Sequence, residues 1–182
     1  MTQGWAKAKG YPDISTRAFL HLVSASHPRS NSPPPVYVFA DFDPDGMAIM
    51  STYKHGSWNL SHESSQLLVP CIQWLGIRSA DLITGDVNAE INGLLRLSSR
   101  DRQTAKKMLE NSAVFREDGL EGGWRRELQL MLMLNVKAEM EMLGERDGGV
   151  VGWVEGKLAE HGHWIEGPAN EEGGEDSDEM LV

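Results

Sequence analysis

The sequence predicts an α/β protein in which helices flank a parallel β-sheet, with further helices near the C-terminus and a disordered acidic tail. Two short runs carry the prediction of the sheet. The run at 36–40 is rich in β-branched and aromatic residues and ends in acids, and a second run with strand-like alternation follows at 71–77. Stretches with the apolar periodicity of helices lie between and after these runs, which is typical of a parallel sheet covered by helices.

Four helices are expected from periodicity and from signals at helix ends. Their predicted ranges are 15–24, 46–54, 98–111 and 124–143. Ser98 and Asp101 form a capping pattern at the start of the third helix, and the fourth carries a broad apolar stripe. We therefore expect one domain over residues 1–143 and a Gly-rich, acidic, disordered tail over 144–182.

The composition limits the classes of protein to which this chain can belong. The 182 residues are 40% hydrophobic, which suffices for one substantial core. No apolar run approaches the length of a membrane span, and the first residues do not have the pattern of a signal peptide, so no membrane association is expected. The single cysteine, Cys71, excludes an internal disulfide and fits a reducing compartment, whether cytoplasm or nucleus.

The acidic balance is concentrated at one end of the chain. The formal net charge is −10, and residues 166–182 contain seven acids and no Lys or Arg. The remainder therefore carries only −3. Residues 1–165, called the body below, are therefore close to neutral. The body can still present a basic groove, because local clusters of cations set the affinity for phosphate.

Two carboxylates follow the first predicted strand. Asp41 and Asp43 end the apolar run, and Pro44 and Gly46 then turn the chain into the next helix. Because ligands of parallel sheets bind at the carboxyl ends of the strands, we expect both side chains to face a ligand crevice. Hard oxygen ligands suit Mg²⁺, which takes one or two protein carboxylates and leaves its other positions to water and phosphate.

The acidic turn admits other interpretations. An EF-hand loop starting at Asp41 is excluded, because its twelfth position needs a bidentate Glu and is Thr52. A phosphotransferase with Asp41 as nucleophile and Asp43 as acid stays open, and it predicts turnover of a phosphate monoester by this chain alone. A plain solvated turn also stays open, because Asp, Pro and Gly are ordinary turn residues.

Six short blocks together resemble a known family. They are 9–13 with Thr16-Arg17, 41–46, 53–57, 74–76, 97–101 and 127–139. In this order they resemble the C-terminal part of the topoisomerase VI A-subunit family, and more closely its eukaryotic branch, which makes programmed meiotic DNA double-strand breaks. The resemblance extends over roughly residues 9–143.

The resemblance implies a toprim domain, which is a Rossmann-like parallel sheet. In such domains a Glu on an earlier strand and an Asp-x-Asp pair on a later one hold Mg²⁺, with Mn²⁺ as an alternative. Asp41 and Asp43 match the Asp-x-Asp pair, and Arg17 and Lys54 are the expected phosphate contacts. The implied partners are double-stranded DNA, a second copy in a homodimer and a topoisomerase VI B-like subunit, and the implied location is the nucleus.

The sequence also departs from the family pattern. In the family a tyrosine of a separate winged-helix domain attacks the DNA, whereas Tyr11, Tyr37 and Tyr53 all lie in toprim-like blocks, so no catalytic residue is assigned. Only eight residues precede Lys9, so the strand bearing the toprim Glu is expected to be missing, and Glu63 does not replace it by position. We therefore expect a truncated product that is inactive alone. The alternative is a non-catalytic module for DNA binding or dimerisation.

Overall fold

The computed structural model describes residues 12–25, 35–57, 65–83, 93–145 and 148–160. Its helices are α1 (Ile14–Ala25), α2 (Pro44–His55), α3 (Ser79–Ile83), α4 (Ser99–Asn111), α5 (Gly122–Leu134) and α6 (Gly149–Glu160). Its strands are β1 (Val36–Val38), β2 (Ile72–Trp74), β3 (Leu94–Arg96) and β4 (Val136–Ala138). Short 3₁₀ turns cover Ser65–Leu67 and Met140–Glu145. None of the helices in these ranges has the length and apolar character needed to cross a membrane.

The predicted parallel pairing is confirmed between β1 and β2. Val36 pairs with Ile72 and Val38 with Trp74. The pairing continues past the strands, since the Leu75 N–H donates to the Val38 carbonyl over 2.9 Å. Gly76 then passes so close to Ala40 that a Cβ at position 76 would collide with the Ala40 carbonyl oxygen, which explains glycine at this position.

A second sheet, which the sequence did not predict, is formed by the antiparallel strands β3 and β4. Strands β3 and β4 pair in a register that sets Leu95 against Lys137. An isolated antiparallel bridge between Phe42 and Ala138 connects this pair to the chain leaving β1. Both hydrogen bonds of the bridge are present, at 2.9 Å and 3.1 Å. The segment that carries the two aspartates is therefore fixed by backbone pairing to β4.

The core lies between the strands of both sheets and helices α2, α4 and α5. Phe42 is fully buried, and its ring stacks with that of Trp74 at a centroid distance of 6.4 Å. Further members of the core are Met47, Met50, Ile77, Ala105, Met108, Phe115, Leu128, Met131 and Leu143. Burying these side chains removes apolar surface from water and so fixes the helices against the sheet.

The predicted helix over 124–143 is wrong beyond its first half. Helix α5 ends at Leu134, where Asn135 adopts the left-handed conformation with φ 56°. Asparagine tolerates this conformation and commonly ends helices. Arg102 stabilises the reversal by donating from Nη1 to the Leu97 carbonyl at 2.6 Å and to Asn135 Oδ1 at 3.1 Å.

The predicted disorder of the 144–182 tail is wrong for Gly149–Glu160, which forms helix α6. The Lys157 ammonium lies 2.7 Å from Asp81 Oδ1 on α3, and the same ammonium lies over the Trp153 ring. This ion pair holds α6 against the domain. The prediction for residues 161–182 lies outside the described residues, as do Tyr11 and Glu63.

The predicted start of α4 is confirmed. Ser98 accepts a hydrogen bond from the Asp101 N–H, and the Asp101 carboxylate accepts one from the Ser98 N–H, which completes a capping box. This cap fixes the beginning of α4, the helix that packs against α2.

Candidate functional site

Asp41 and Asp43 lie where the chain leaves β1 and enters α2. Asp43 is extended, with φ −148° and ψ 168°, and its Oδ1 accepts a hydrogen bond from the Gly46 N–H at 2.6 Å. It is therefore the N-cap of α2. Asp41 Oδ1 accepts a hydrogen bond from the Met140 N–H at 2.8 Å. Each carboxylate is thus oriented by one backbone donor.

Gly46 allows the turn that carries these two carboxylates to close tightly. A Cβ built at position 46 would lie 2.5 Å from the Asp41 carbonyl oxygen and 3.2 Å from Asp43 Oδ1. The first distance is far inside van der Waals contact, and the carbonyl belongs to the backbone and has little freedom to move. Glycine is therefore required for this turn around the aspartates.

Burial raises the pKa of Asp43 above its ordinary value, and the charges of Asp41 and Asp45 raise it further. The hydrogen bond from Gly46 and the charge of Lys137 act in the opposite direction without cancelling the increase. Burial and the two neighbouring carboxylates therefore disfavour the ionised form of Asp43, and a cation bound beside it would stabilise that form.

The donor set fits a magnesium ion with few protein ligands. Asp41 and Asp43 supply hard carboxylate oxygens from a rigid turn, and Mg²⁺ is commonly held by one or two carboxylates with water completing its octahedron. Within the described ranges no group of three or more His, Cys, Asp or Glu side chains is arranged to hold a metal. The fit is therefore to a weak site and not to a complete protein cage.

Two cations border the acidic turn. The Lys137 ammonium lies 3.4 Å from Asp101 Oδ2, and the Lys137 side chain is 21% exposed. Arg100 lies on the first turn of α4, where its guanidinium is 4.0 Å from Asp45 Oδ2 and its side chain is 83% exposed. The sequence assigns no role to Lys137, and it places Arg100 on the charged face of the predicted 98–111 helix, where solvation is favoured over a DNA contact. The β-branched Val136 after Asn135 was the available signal that residues near 137 form a strand.

Arg17 lies away from the aspartates. It is buried on α1, with 2% exposure. Its charge acts on Tyr53, whose pKa is raised chiefly by burial and then by Asp13, while Arg17 lowers it. Tyr53 lies in the last turn of α2, and a helix of this length extends about 18 Å. Arg17 is therefore near the opposite end of α2 from Asp43.

Lys54 is also at the far end of α2. Its ammonium is 2.6 Å from Glu121 Oε1 and lies 5.2 Å from the centroid of the Trp124 ring. His55 Nε2 is 2.9 Å from the same Glu121 oxygen. The structure thus places Asp41 and Asp43 in one turn but does not bring Arg17 or Lys54 to them.

Most of the chain matches one known family. Residues 6–151 match the family described as the toprim domain of Spo11 and of the topoisomerase 6 A subunit. The chain belongs to this family. The predicted toprim fold is confirmed by this match, and the parallel β1–β2 pairing and the flanking helices agree with it.

Curated relatives match over the same region. The chain is 42% identical over 136 residues to "Meiotic recombination protein SPO11-1" of Oryza sativa subsp. indica, covering 74% of this chain and 33% of that protein. It is 38% identical to the A subunit of DNA topoisomerase 6 of Arabidopsis thaliana, covering 75% of this chain and 29% of that protein. It is 34% identical to "Meiotic recombination protein SPO11" of Homo sapiens, covering 74% and 31%. The chain thus spans about a third of the length of these relatives.

Proposed function

We propose that this chain is the Mg²⁺-binding and DNA-holding toprim part of a protein that makes meiotic DNA double-strand breaks by tyrosine transesterification. The observation that carries the proposal is the pair Asp41 and Asp43, each of whose carboxylates is oriented by a backbone donor beyond the end of β1. The family match supports the same assignment. Mn²⁺ offers similar octahedral oxygen chemistry and is included in the proposal.

The proposed roles of the residues in this chain are to bind the metal and to orient the carboxylates that hold it. Asp41 and Asp43 would hold the metal, while the N–H groups of Met140 and Gly46 keep their carboxylates in position. When bound, a divalent cation stabilises negative charge that develops on phosphate oxygens. Met140 and Gly46 donate from the backbone, so this orientation does not depend on the identity of a flexible side chain.

Tyr37 and Tyr53, the tyrosines among the described residues, are proposed to have structural roles. Tyr53 is buried with 5% exposure, and Tyr37 lies within strand β1. Burial raises the pKa of both side chains. Tyr11 lies outside the described residues, in a block that resembles the toprim domain. We propose, as the resemblance implies, that the nucleophile comes from a separate domain and that the chain alone does not cut DNA.

Partners and location follow from the named relatives and belong to the proposal. Two of the relatives are named as meiotic recombination proteins and one as part of a DNA topoisomerase. We propose a nuclear location and three partners: duplex DNA, a second copy of the chain and a topoisomerase VI B-like subunit. Arg17 and Lys54 remain proposed DNA contacts, although Arg17 is buried and would have to become accessible, and Lys54 would have to exchange Glu121 for phosphate.

Metal titration tests the proposal. Calorimetry should show weak binding of Mg²⁺ or Mn²⁺ by the parent chain and none by the double variant Asp41→Asn, Asp43→Asn, because both ligands lose their charge. Asp118→Asn is the matched control, since it removes one charge from a carboxylate that is paired with the exposed Arg116.

Equal binding by the double variant and the parent would overturn the metal site. Binding of duplex DNA by a chain that binds no divalent cation would instead support the alternative of a non-catalytic module. Release of phosphate from a monoester would support the phosphotransferase interpretation.

A further inference from the structure

The antiparallel bridge places a cation across from Asp43, one of the two proposed metal ligands. Phe42 and Ala138 form a hydrogen-bonded pair, so the residue after Phe42 lies opposite the residue before Ala138. These residues are Asp43 and Lys137. Asp43 retains extended backbone angles, so the strand geometry continues through it. Directly opposed residues of an antiparallel pair project from the same face, and Lys137 is therefore on the face that carries Asp43.

A second contact fixes the position of the Lys137 ammonium. It lies 3.4 Å from Asp101 Oδ2, and Asp101 is held by the capping box at the start of α4. The ammonium is thus located between the beginning of α4 and the acidic turn, and the charge of Lys137 is felt at Asp43. With 21% exposure the side chain is restrained and still reaches solvent.

Arg100 also approaches the acidic turn, through Asp45. Its side chain is 83% exposed, and its 4.0 Å approach to Asp45 is too long and too exposed to hold it in place. An ammonium and a guanidinium therefore border a cluster of carboxylates at which a divalent cation is proposed. A phosphodiester carries one negative charge, and it would meet the metal on one side and these cations on the other.

We propose that Lys137 and Arg100 contact the backbone phosphates of duplex DNA beside the Asp41–Asp43 site. This inference rests on the proposed function and refines it, because the cations nearest the acidic turn among the described residues are on β4 and α4. Lys137 is a positioning residue: it holds the phosphate next to the carboxylates and takes no part in bond making.

The test measures affinity for a short duplex DNA as a function of potassium chloride concentration, with Mg²⁺ fixed and the full chain used throughout. Each lost phosphate contact lowers the steepness of log affinity against log salt by about one. We expect this change in Lys137→Gln and in Arg100→Gln, together with weaker binding at low salt. Lys137→Arg should retain the parent steepness.

Two controls separate this role from simple charge and from stability. Arg116→Gln removes one exposed cation beyond the other end of α4 and should leave the steepness unchanged. Asp101→Asn removes the partner of Lys137 and keeps the cation, so it should also retain the steepness. If Asp101→Asn lowers the steepness as Lys137→Gln does, Lys137 acts only through the structure of α4 and the inference fails.

Two further outcomes would overturn the inference. If log affinity falls equally steeply with log salt for Lys137→Gln and for Arg116→Gln, Lys137 makes no phosphate contact. The proposed function would still stand. If the parent chain shows no salt-dependent binding of duplex DNA, the proposed function fails and this inference fails with it.

Discussion

Asp43 combines two roles at the scale of a single residue. As the N-cap of α2 it accepts a hydrogen bond from Gly46 and satisfies a donor that the helix leaves unpaired. As a proposed metal ligand it must be ionised, although burial and two neighbouring carboxylates raise its pKa. Ionising Asp43 without a bound cation therefore costs folding free energy.

This cost predicts a pH-dependent difference between the parent and Asp43→Asn in the presence of a chelator. Below the ordinary value of 3.8 the carboxyl is protonated in both folded and unfolded chains, so no penalty exists. As pH rises through that value and then through the raised folded pKa, the unfolded chain ionises first and stability is lost. Asparagine caps helices as well as aspartate does, so Asp43→Asn should be the more stable protein at neutral pH.

Thermal unfolding of both proteins from pH 3 to pH 7 checks this prediction. The advantage of Asp43→Asn should shrink as pH falls, and saturating Mg²⁺ at neutral pH should raise the midpoint of the parent alone. A parent that is the more stable protein at neutral pH in chelator would contradict the raised pKa of Asp43 in the folded chain.

At this scale the sequence located the two proposed ligands but not the groups that position them. The apolar run and the turn residues around Asp41 and Asp43 are local signals, so these residues could be located. The Met140 N–H and the Lys137 ammonium come from a segment almost a hundred residues later. Cross-strand pairing at such a separation leaves no trace in a single sequence.

At the scale of elements, Asn135 decides how the second half of the domain is built. The apolar periodicity of 124–143 predicted one long helix, yet the left-handed Asn135 ends α5 and releases Val136–Ala138 to pair as β4. Periodicity could not reveal this, because Val136 continues the apolar spacing of the helix while its β-branched side chain also suits a strand. The missing signal is a pairing partner, β3, which is only three residues long.

Substitutions at Asn135 test this role. Asn135→Ala should destabilise the protein by about 1–2 kcal/mol, because alanine is strained at positive φ and loses the hydrogen bond from Arg102. Asn135→Gly loses the same hydrogen bond without the strain and should cost less. Urea unfolding measures both free energies, and equal losses in the two variants would show that backbone conformation is not the cause.

At the scale of the whole molecule, charge is divided between a nearly neutral body and an acidic end. Residues 166–182 contribute −7 of the net −10. Helix α6, which the Lys157–Asp81 ion pair holds to the domain, ends at Glu160, with five residues between it and this segment. The segment can therefore affect the body in only two ways: by direct contact over the length of the segment, or through its electrostatic field.

Deleting residues 166–182 should strengthen binding of duplex DNA by the body, because like charges near the DNA repel it. The gain should be largest at low ionic strength, where the screening length is about 30 Å at roughly 0.01 M salt, and should vanish near about 1 M. Fluorescence anisotropy of a labelled duplex over a salt series measures this. Affinity that is unchanged at every salt concentration would show that the segment stays clear of the DNA.

The Phe42–Ala138 bridge also has a consequence for how the protein folds. Asp41 and the Met140 N–H that orients it are 99 positions apart in the chain, so the site can form only after a very large loop has closed. Contacts of such separation slow folding, and they form after the local helices. A chain that stops at residue 134 during synthesis would already contain both aspartates, and it would still lack the strand that turns them into a site.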